Sequence, residues 1–168
     1  MPDTLILGYG NVDRMDDGVA WHVLAALAVA LGRPAPATFD EPLTLPAGSA
    51  DCQFVLQLTP EMAEQLAQYR RVCFVDAHTG DLAEATRLAP IAPAFTNSPF
   101  THHLTPAACL ALAQALYGHA PDAVLASVRG GAFGFAQELS PAVARRVPEL
   151  VSQILAWLGA TVASESIA

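Results

Sequence analysis

The sequence predicts an α/β fold, a three-layer α/β/α sandwich in which helices cover both faces of a mostly parallel, twisted sheet of about five strands. Short apolar runs typical of buried strands alternate with longer runs rich in alanine and leucine, and this alternation favours parallel strands joined by helices. The length of 168 residues suits one domain, residues 1–168. We expect the tail after about residue 159 to be flexible.

Six runs are candidate strands: residues 4–7, 37–40, 54–58, 71–76, 84–93 and 123–128. Prolines in the fifth run favour an edge strand or an extended connection. Four runs are predicted as helices: residues 18–31, 59–69, 104–117 and 140–158. Gly118 is expected to end the third helix, and Pro148 to kink the last.

Composition excludes several classes of function. The formal net charge is -8, from 16 acidic and 8 basic residues, which disfavours nucleic acid and anionic membranes as partners. The 3 cysteines are widely spaced and indicate neither a disulfide framework nor a structural zinc site. Without a signal peptide pattern or an apolar run long enough to cross a bilayer, we expect a soluble, cytoplasmic protein.

The loop after the first strand, residues 8–18, reads GYGNVDRMDDG and carries the strongest signal. Its first two glycines permit a sharp turn, and Asp13, Asp16 and Asp17 follow where ligands of open α/β sheets bind. Clustered carboxylates suit a cation. Aspartate is also a favoured cap at the start of a helix, so both interpretations remain open from this loop alone.

A dinucleotide-binding loop is the main rival interpretation, because Gly-x-Gly after a strand is half of the Rossmann fingerprint. The third glycine of that fingerprint would fall at residue 13, which is aspartate. Carboxylates at this place would repel a phosphate and compete for the same N–H groups. The pattern therefore disfavours dinucleotide binding.

Two further polar groups are expected at the same edge of the sheet. Asp76 ends the apolar run of residues 71–76, and His102 precedes the predicted helix of residues 104–117. Asp17, Asp76 and His102 would form a mixed oxygen and nitrogen set that suits nickel or zinc and leaves positions open for water or substrate.

Each of these residues also has a structural interpretation. Asp76 could form a turn at the strand end, and His102 and His103 could cap the following helix. Of the other histidines, His78 is predicted to be an exposed loop residue. His22 and His119 are predicted to be structural.

Five segments together resemble the hydrogenase maturation endopeptidases. They are residues 7–11, LGYGN; 16–23, DDGVAWHV; 75–76, VD; 101–106, THHLTP; and 131–141, which include the glycine and phenylalanine loop before LSP. They occur in the family's order over nearly the whole chain.

The resemblance implies a protease that removes the C-terminal extension of a nickel-iron hydrogenase large-subunit precursor after metal insertion. It implies Asp17, Asp76 and His102 as ligands of nickel carried by the substrate, a site that zinc or cadmium would also fit in vitro. His103 is the alternative ligand. We also expect Asp16 to be a catalytic residue, as a candidate general base.

The chain departs from the family pattern between Asn11 and Asp16, where Met15 stands at a position that is often glycine. Two other functions remain open. One is a metal-dependent hydrolase of another peptide or small substrate, and the other is a non-catalytic hydrogenase-assembly chaperone.

Overall fold

The computed structural model describes residues 3–79, 82–95 and 104–165, with residues 160–165 described by their backbone alone. The strands are β1 (Thr4–Tyr9), β2 (Asp51–Val55), β3 (Arg71–His78), β4 (Thr86–Ile91) and β5 (Asp122–Arg129). The helices are α1 (Val19–Ala30), α2 (Met62–Leu66), α3 (Pro106–Tyr117), α4 (Pro141–Ala144) and α5 (Val147–Glu165), and a 3-10 turn at Met15–Gly18 precedes α1. None of the described helices combines the length and apolar character needed to cross a membrane.

The strands form one sheet in the order β2-β1-β3-β5-β4. Neighbours are parallel except β4, which runs antiparallel to β5 at the sheet's edge. The α/β class and the mostly parallel five-stranded sheet are confirmed. Because β1 lies beside β3, the loop after β1 starts next to the carboxyl end of β3, where Asp76 lies.

Both faces of the sheet carry apolar side chains, because successive residues of a strand point to opposite sides. Leu5, Leu7 and Phe74 belong to a cluster that includes buried residues of α2 and α3. Ile6 and Val75 belong to a second cluster with buried residues of α1 and α5. These clusters favour the sandwich, which stays a prediction.

The second candidate strand, residues 37–40, is wrong: this segment forms bends and a turn. Its aromatic residue, Phe39, packs on the Trp21 ring with centroids 4.3 Å apart, so it anchors a loop to α1 instead of pairing in the sheet. The next strand lies earlier than predicted, at Asp51–Val55. Its polar positions are paired, since the Tyr69 hydroxyl donates to the Asp51 carboxylate over 2.6 Å.

The helix ends show where proline and glycine act as expected. Thr105 caps α3, accepting a hydrogen bond from the Ala108 amide at 3.1 Å, and Gly118 ends it in the left-handed conformation. At Pro148 the predicted kink is instead a break between α4 and α5, because proline is tolerated in a helix's first turn but not in its interior. The backbone of α5 continues helically to Glu165, and flexibility of the tail stays a prediction.

Candidate active site

Glycines shape the acidic loop, the name we give to residues 10–17. Gly10 has a φ of 143°, and a Cβ there would collide with the backbone carbonyl of Asp17. A Cβ on Gly18 would lie 2.6 Å from the Cα of Val12. The loop therefore folds back on itself, which only residues without a side chain permit at these two points.

This fold-back places Asp17 close to the end of β1. The Asn11 amide donates to Oδ2 of Asp17 over 2.9 Å, and the Asp17 amide donates to the Arg14 carbonyl over 3.1 Å. The side chain is half-buried. Asp17 thus lies in the 3-10 turn as an oriented carboxylate at the carboxyl edge of the sheet.

Asp76 lies near the end of β3, where the Ala77 amide donates to its Oδ1 over 2.7 Å. Burial is the main cause that raises the pKa of the Asp76 carboxyl to about 7, with a smaller contribution from the charge of Asp17, against hydrogen bonds from Ala77 and the Tyr9 hydroxyl that lower it. Burial, and then the Asp76 charge, raise the pKa of Tyr9 well above its usual range. Tyr9, which the sequence did not single out, is therefore part of the site.

Asp17 and Asp76 are near enough to repel each other. A divalent cation bound by both would remove this repulsion, and carboxylate oxygens are ligands that nickel and zinc accept. The donor chemistry therefore fits the predicted metal. Within the described residues, no group of three or more His, Cys, Asp or Glu side chains is arranged to hold a metal ion.

The predicted third ligand, His102, and its alternative, His103, both lie outside the described residues. The described chain resumes just after them, at the residues that lead into α3. Since α3 precedes the parallel strand β5, its first turn lies towards the same edge of the sheet as Asp76. The histidine ligand stays a prediction.

Asp16 is fully buried, and hydrogen bonds engage both of its oxygens. It accepts from the Gly131 amide at 3.0 Å, the Ala132 amide at 2.8 Å, the Ser140 amide at 2.9 Å and the Ser140 hydroxyl at 2.8 Å. Burial alone would raise the pKa of Asp16, but these bonds outweigh it and hold the pKa below its ordinary value. This geometry favours a positioning role over the predicted general base.

The segment that Asp16 binds, residues 130–140, is here named the latch loop. Its backbone also bonds directly to the acidic loop: the Met15 amide donates to the Ala136 carbonyl over 2.7 Å, and the Asp16 amide donates to the Ala132 carbonyl over 3.0 Å. Met15 has a φ of 50°, a conformation that favours glycine. This explains why glycine suits that position in the family pattern.

The remaining histidines have structural partners. His78 is not an exposed loop residue as predicted: it ends β3 and is half-buried. Its Nδ1 lies 2.8 Å from the Ser127 hydroxyl and its Nε2 2.9 Å from the Glu84 carbonyl. His22 packs edge-on against Trp21. Nε2 of His119 lies 2.9 Å from the Tyr69 carbonyl.

Solved structures of hydrogenase maturation endopeptidases share this fold. The maturating endopeptidase HybD of E. coli is 21% identical with a TM-score of 0.70, covering 96% of this chain and 94% of that one. The nickel-iron hydrogenase maturation protease HycI of Thermococcus kodakarensis is 21% identical with a TM-score of 0.61, covering 94% and 92%. An endopeptidase from E. coli solved in solution is 20% identical with a TM-score of 0.71, covering 96% and 94%.

No protein-family model and no curated protein matches the sequence. At these identities the structural likeness establishes the fold. The chain therefore has the fold of the hydrogenase maturation endopeptidases over nearly its whole length, which confirms the fold that the sequence resemblance implies.

Proposed function

We propose that this chain is an endopeptidase that removes the C-terminal extension of a nickel-iron hydrogenase large-subunit precursor after metal insertion. One observation carries the proposal: Asp17 and Asp76 meet at the carboxyl edge of a sheet whose fold is that of the hydrogenase maturation endopeptidases. That edge is where ligands of open α/β sheets bind.

In this proposal the nickel ion belongs to the substrate, and Asp17, Asp76 and a histidine bind it. Asp76 must lose its proton to become a ligand, so docking of the substrate releases a proton near neutral pH. The Tyr9 hydroxyl donates to Asp76 and fixes its orientation. An ion at this place polarises a neighbouring peptide carbonyl or activates a water.

The acidic loop and the latch loop supply a rigid frame for this site. Asp16 does not need to move a proton in the proposed reaction, because its four hydrogen bonds keep it ionised and in place. We propose a cytoplasmic location, with His102 as the third ligand and His103 as its alternative. Zinc or cadmium would bind the same residues in vitro.

The test is the intact mass of a nickel-loaded large-subunit precursor after incubation with the wild type and with variants of the ligands. We expect the wild type to release a C-terminal peptide. Asp17→Asn, Asp76→Asn and His102→Ala should each slow cleavage by about a hundredfold or more. Asp13→Asn is the matched control, because Asp13 is an exposed acid of the same loop, and it should cleave normally.

The other outcomes separate the alternatives. Precursor binding without cleavage would favour a non-catalytic assembly chaperone. Stoichiometric metal in the purified protein, with hydrolysis of unrelated peptides, would favour a general metal-dependent hydrolase. Normal cleavage by His102→Ala and loss in His103→Ala would transfer the ligand role to His103.

A further inference from the structure

Phe135, in the latch loop, has a solvent-exposed apolar side chain. Its exposed fraction is 94%, against 65% for Leu116 and 62% for Phe95. Single exposed apolar residues are common on protein surfaces. A nearly fully exposed phenylalanine, however, contributes almost none of its hydrophobic burial free energy to folding. Such a ring gains that energy when a partner covers it.

The backbone on both sides of Phe135 is fixed. The Ala136 carbonyl accepts from the Met15 amide at 2.7 Å, and the Phe133 carbonyl accepts from the Arg14 guanidinium at 3.1 Å. A Cβ on Gly134 would lie 3.5 Å from Sδ of Met15, so the loop's backbone rests on that side chain. Because these contacts order the backbone in advance, binding a partner at Phe135 costs mainly the rotamer freedom of its side chain.

The same contacts connect the ring to the proposed active site. Met15 contacts the residues on either side of Phe135 and belongs, like Asp17, to the 3-10 turn. Asp16, between Met15 and Asp17, binds both ends of the latch loop. The latch loop therefore adjoins the turn that carries Asp17.

We propose that the latch loop is the substrate-docking element of the protease and that Phe135 contacts an apolar surface of the folded precursor beside its scissile segment. This inference rests on the proposed function. A second copy of this chain is the less favourable occupant, because each copy carries a formal charge of -8 and the copies repel each other.

The experiment compares steady-state cleavage of the nickel-loaded precursor by the wild type, Phe135→Ala and Phe135→Leu. Phe135→Ala should raise KM about tenfold or more with kcat within about twofold. The reason is that the proposed contact is equally strong in the bound substrate and in the transition state. Phe135→Leu should recover much of the loss. Melting temperatures should be unchanged, since the side chain is 94% exposed in the part of the chain that the structure describes.

Leu116→Ala is the matched control, because Leu116 is exposed near the end of α3, which leads into the start of β5 at the opposite edge of the sheet. An unchanged KM in Phe135→Ala, with an active wild type, would overturn the docking inference and leave the proposed function intact. No cleavage and no precursor binding by the wild type would overturn both. If the wild type sediments as a dimer, Phe135→Ala alone sediments as a monomer, and the KM of this variant is normal, the ring would be assigned to self-association instead.

Discussion

At the residue scale, Asp76 makes the stability of the metal-free protein depend on pH. Its pKa is about 7 when folded and has an ordinary value of 3.8, so the unfolded chain releases this proton first as pH rises. The free energy of unfolding therefore falls as pH rises from 3.8 to about 7, and it stays at its lowered value above that pH.

Asp76→Asn should therefore stabilise the metal-free protein by about 2–4 kcal/mol at about pH 8 and have little effect at about pH 4. Urea unfolding in the presence of a chelator at both pH values measures this. Equal effects at the two pH values would show that Asp76 titrates normally. Nickel(II) should raise the melting temperature of the wild type much more than that of Asp76→Asn.

Tyr9→Phe tests the hydroxyl that donates to Asp76. This bond lowers the pKa of Asp76, so its removal should raise the midpoint of the Asp76 titration further above about 7. The carboxyl carbon chemical shift of Asp76 reports that midpoint in the metal-free protein. An unchanged midpoint would exclude Tyr9 as a positioning residue. Tyr69→Phe, at a tyrosine that bonds Asp51 instead, is the control.

Some residues of the candidate site could be predicted from the sequence and others could not. Asp17 and Asp76 could be predicted because parallel strands bring their carboxyl ends together. Tyr9 could not, since its role depends on the register that places Gly8 opposite Val75, and so Tyr9 beside Asp76. Asp16 was predicted to be a catalytic base because its hydrogen-bond partners lie more than a hundred residues away and are not visible in the local sequence.

At the element scale, the acidic loop and the latch loop act as one unit through Asp16. Asp16→Ala leaves the amides of Gly131, Ala132 and Ser140 without their acceptor, and breaking such a buried network should cost about 3–5 kcal/mol. Hydrogen exchange should show these amides losing protection while β1 and β3 keep theirs.

Asp13→Ala is the control for this prediction, because Asp13 is exposed and accepts one side-chain bond, from Gln137 at 2.8 Å. It should cost less than about 0.5 kcal/mol. If Asp16→Ala retained normal stability and normal protection of the latch loop, the positioning role would be wrong. Acid should also weaken the wild type more than Asp16→Ala, because the lowered pKa of Asp16 contributes stability that is lost as pH falls.

Strand boundaries were the least predictable feature at this scale. The segment at 54–58 is more apolar than the observed β2, but pairing with β1 selects Asp51–Val55, whose polar side chains find partners. His78 was misplaced for a related reason: β3 extends past Asp76 because Ser127 and Glu84 supply partners for the imidazole. Such tertiary partners are not visible in local sequence.

At the scale of the whole molecule, the sheet joins two apolar clusters into what we predict to be one domain. Leu110 of α3 and Leu150 of α5 are fully buried in different clusters. Leu110→Ala and Leu150→Ala should each lower the free energy of unfolding by about 2–5 kcal/mol and shift the same single transition. Two separate transitions in either variant's denaturation curve would contradict a single cooperative domain.

The α/β class and the mostly parallel sheet could be predicted because they depend on alternation of strands and helices along the whole chain, so one wrongly assigned element does not change them. The order β2-β1-β3-β5-β4 could not be read from that alternation, since several strand orders satisfy it. The acidic residues after β1 and β3 nevertheless predicted that Asp17 and Asp76 lie at the same edge of the sheet, where we propose the site. The sheet order explains why Asp17 and Asp76 meet there.

The most direct test of the proposed function is the intact mass of a cognate large-subunit precursor, nickel-loaded and nickel-free, before and after incubation with the wild-type chain. The proposal predicts loss of a C-terminal peptide from the nickel-loaded precursor and an unchanged mass for the nickel-free one. Equal cleavage of both forms would contradict recognition through nickel. If no cognate precursor were cleaved in either form, the proposed protease activity would be wrong.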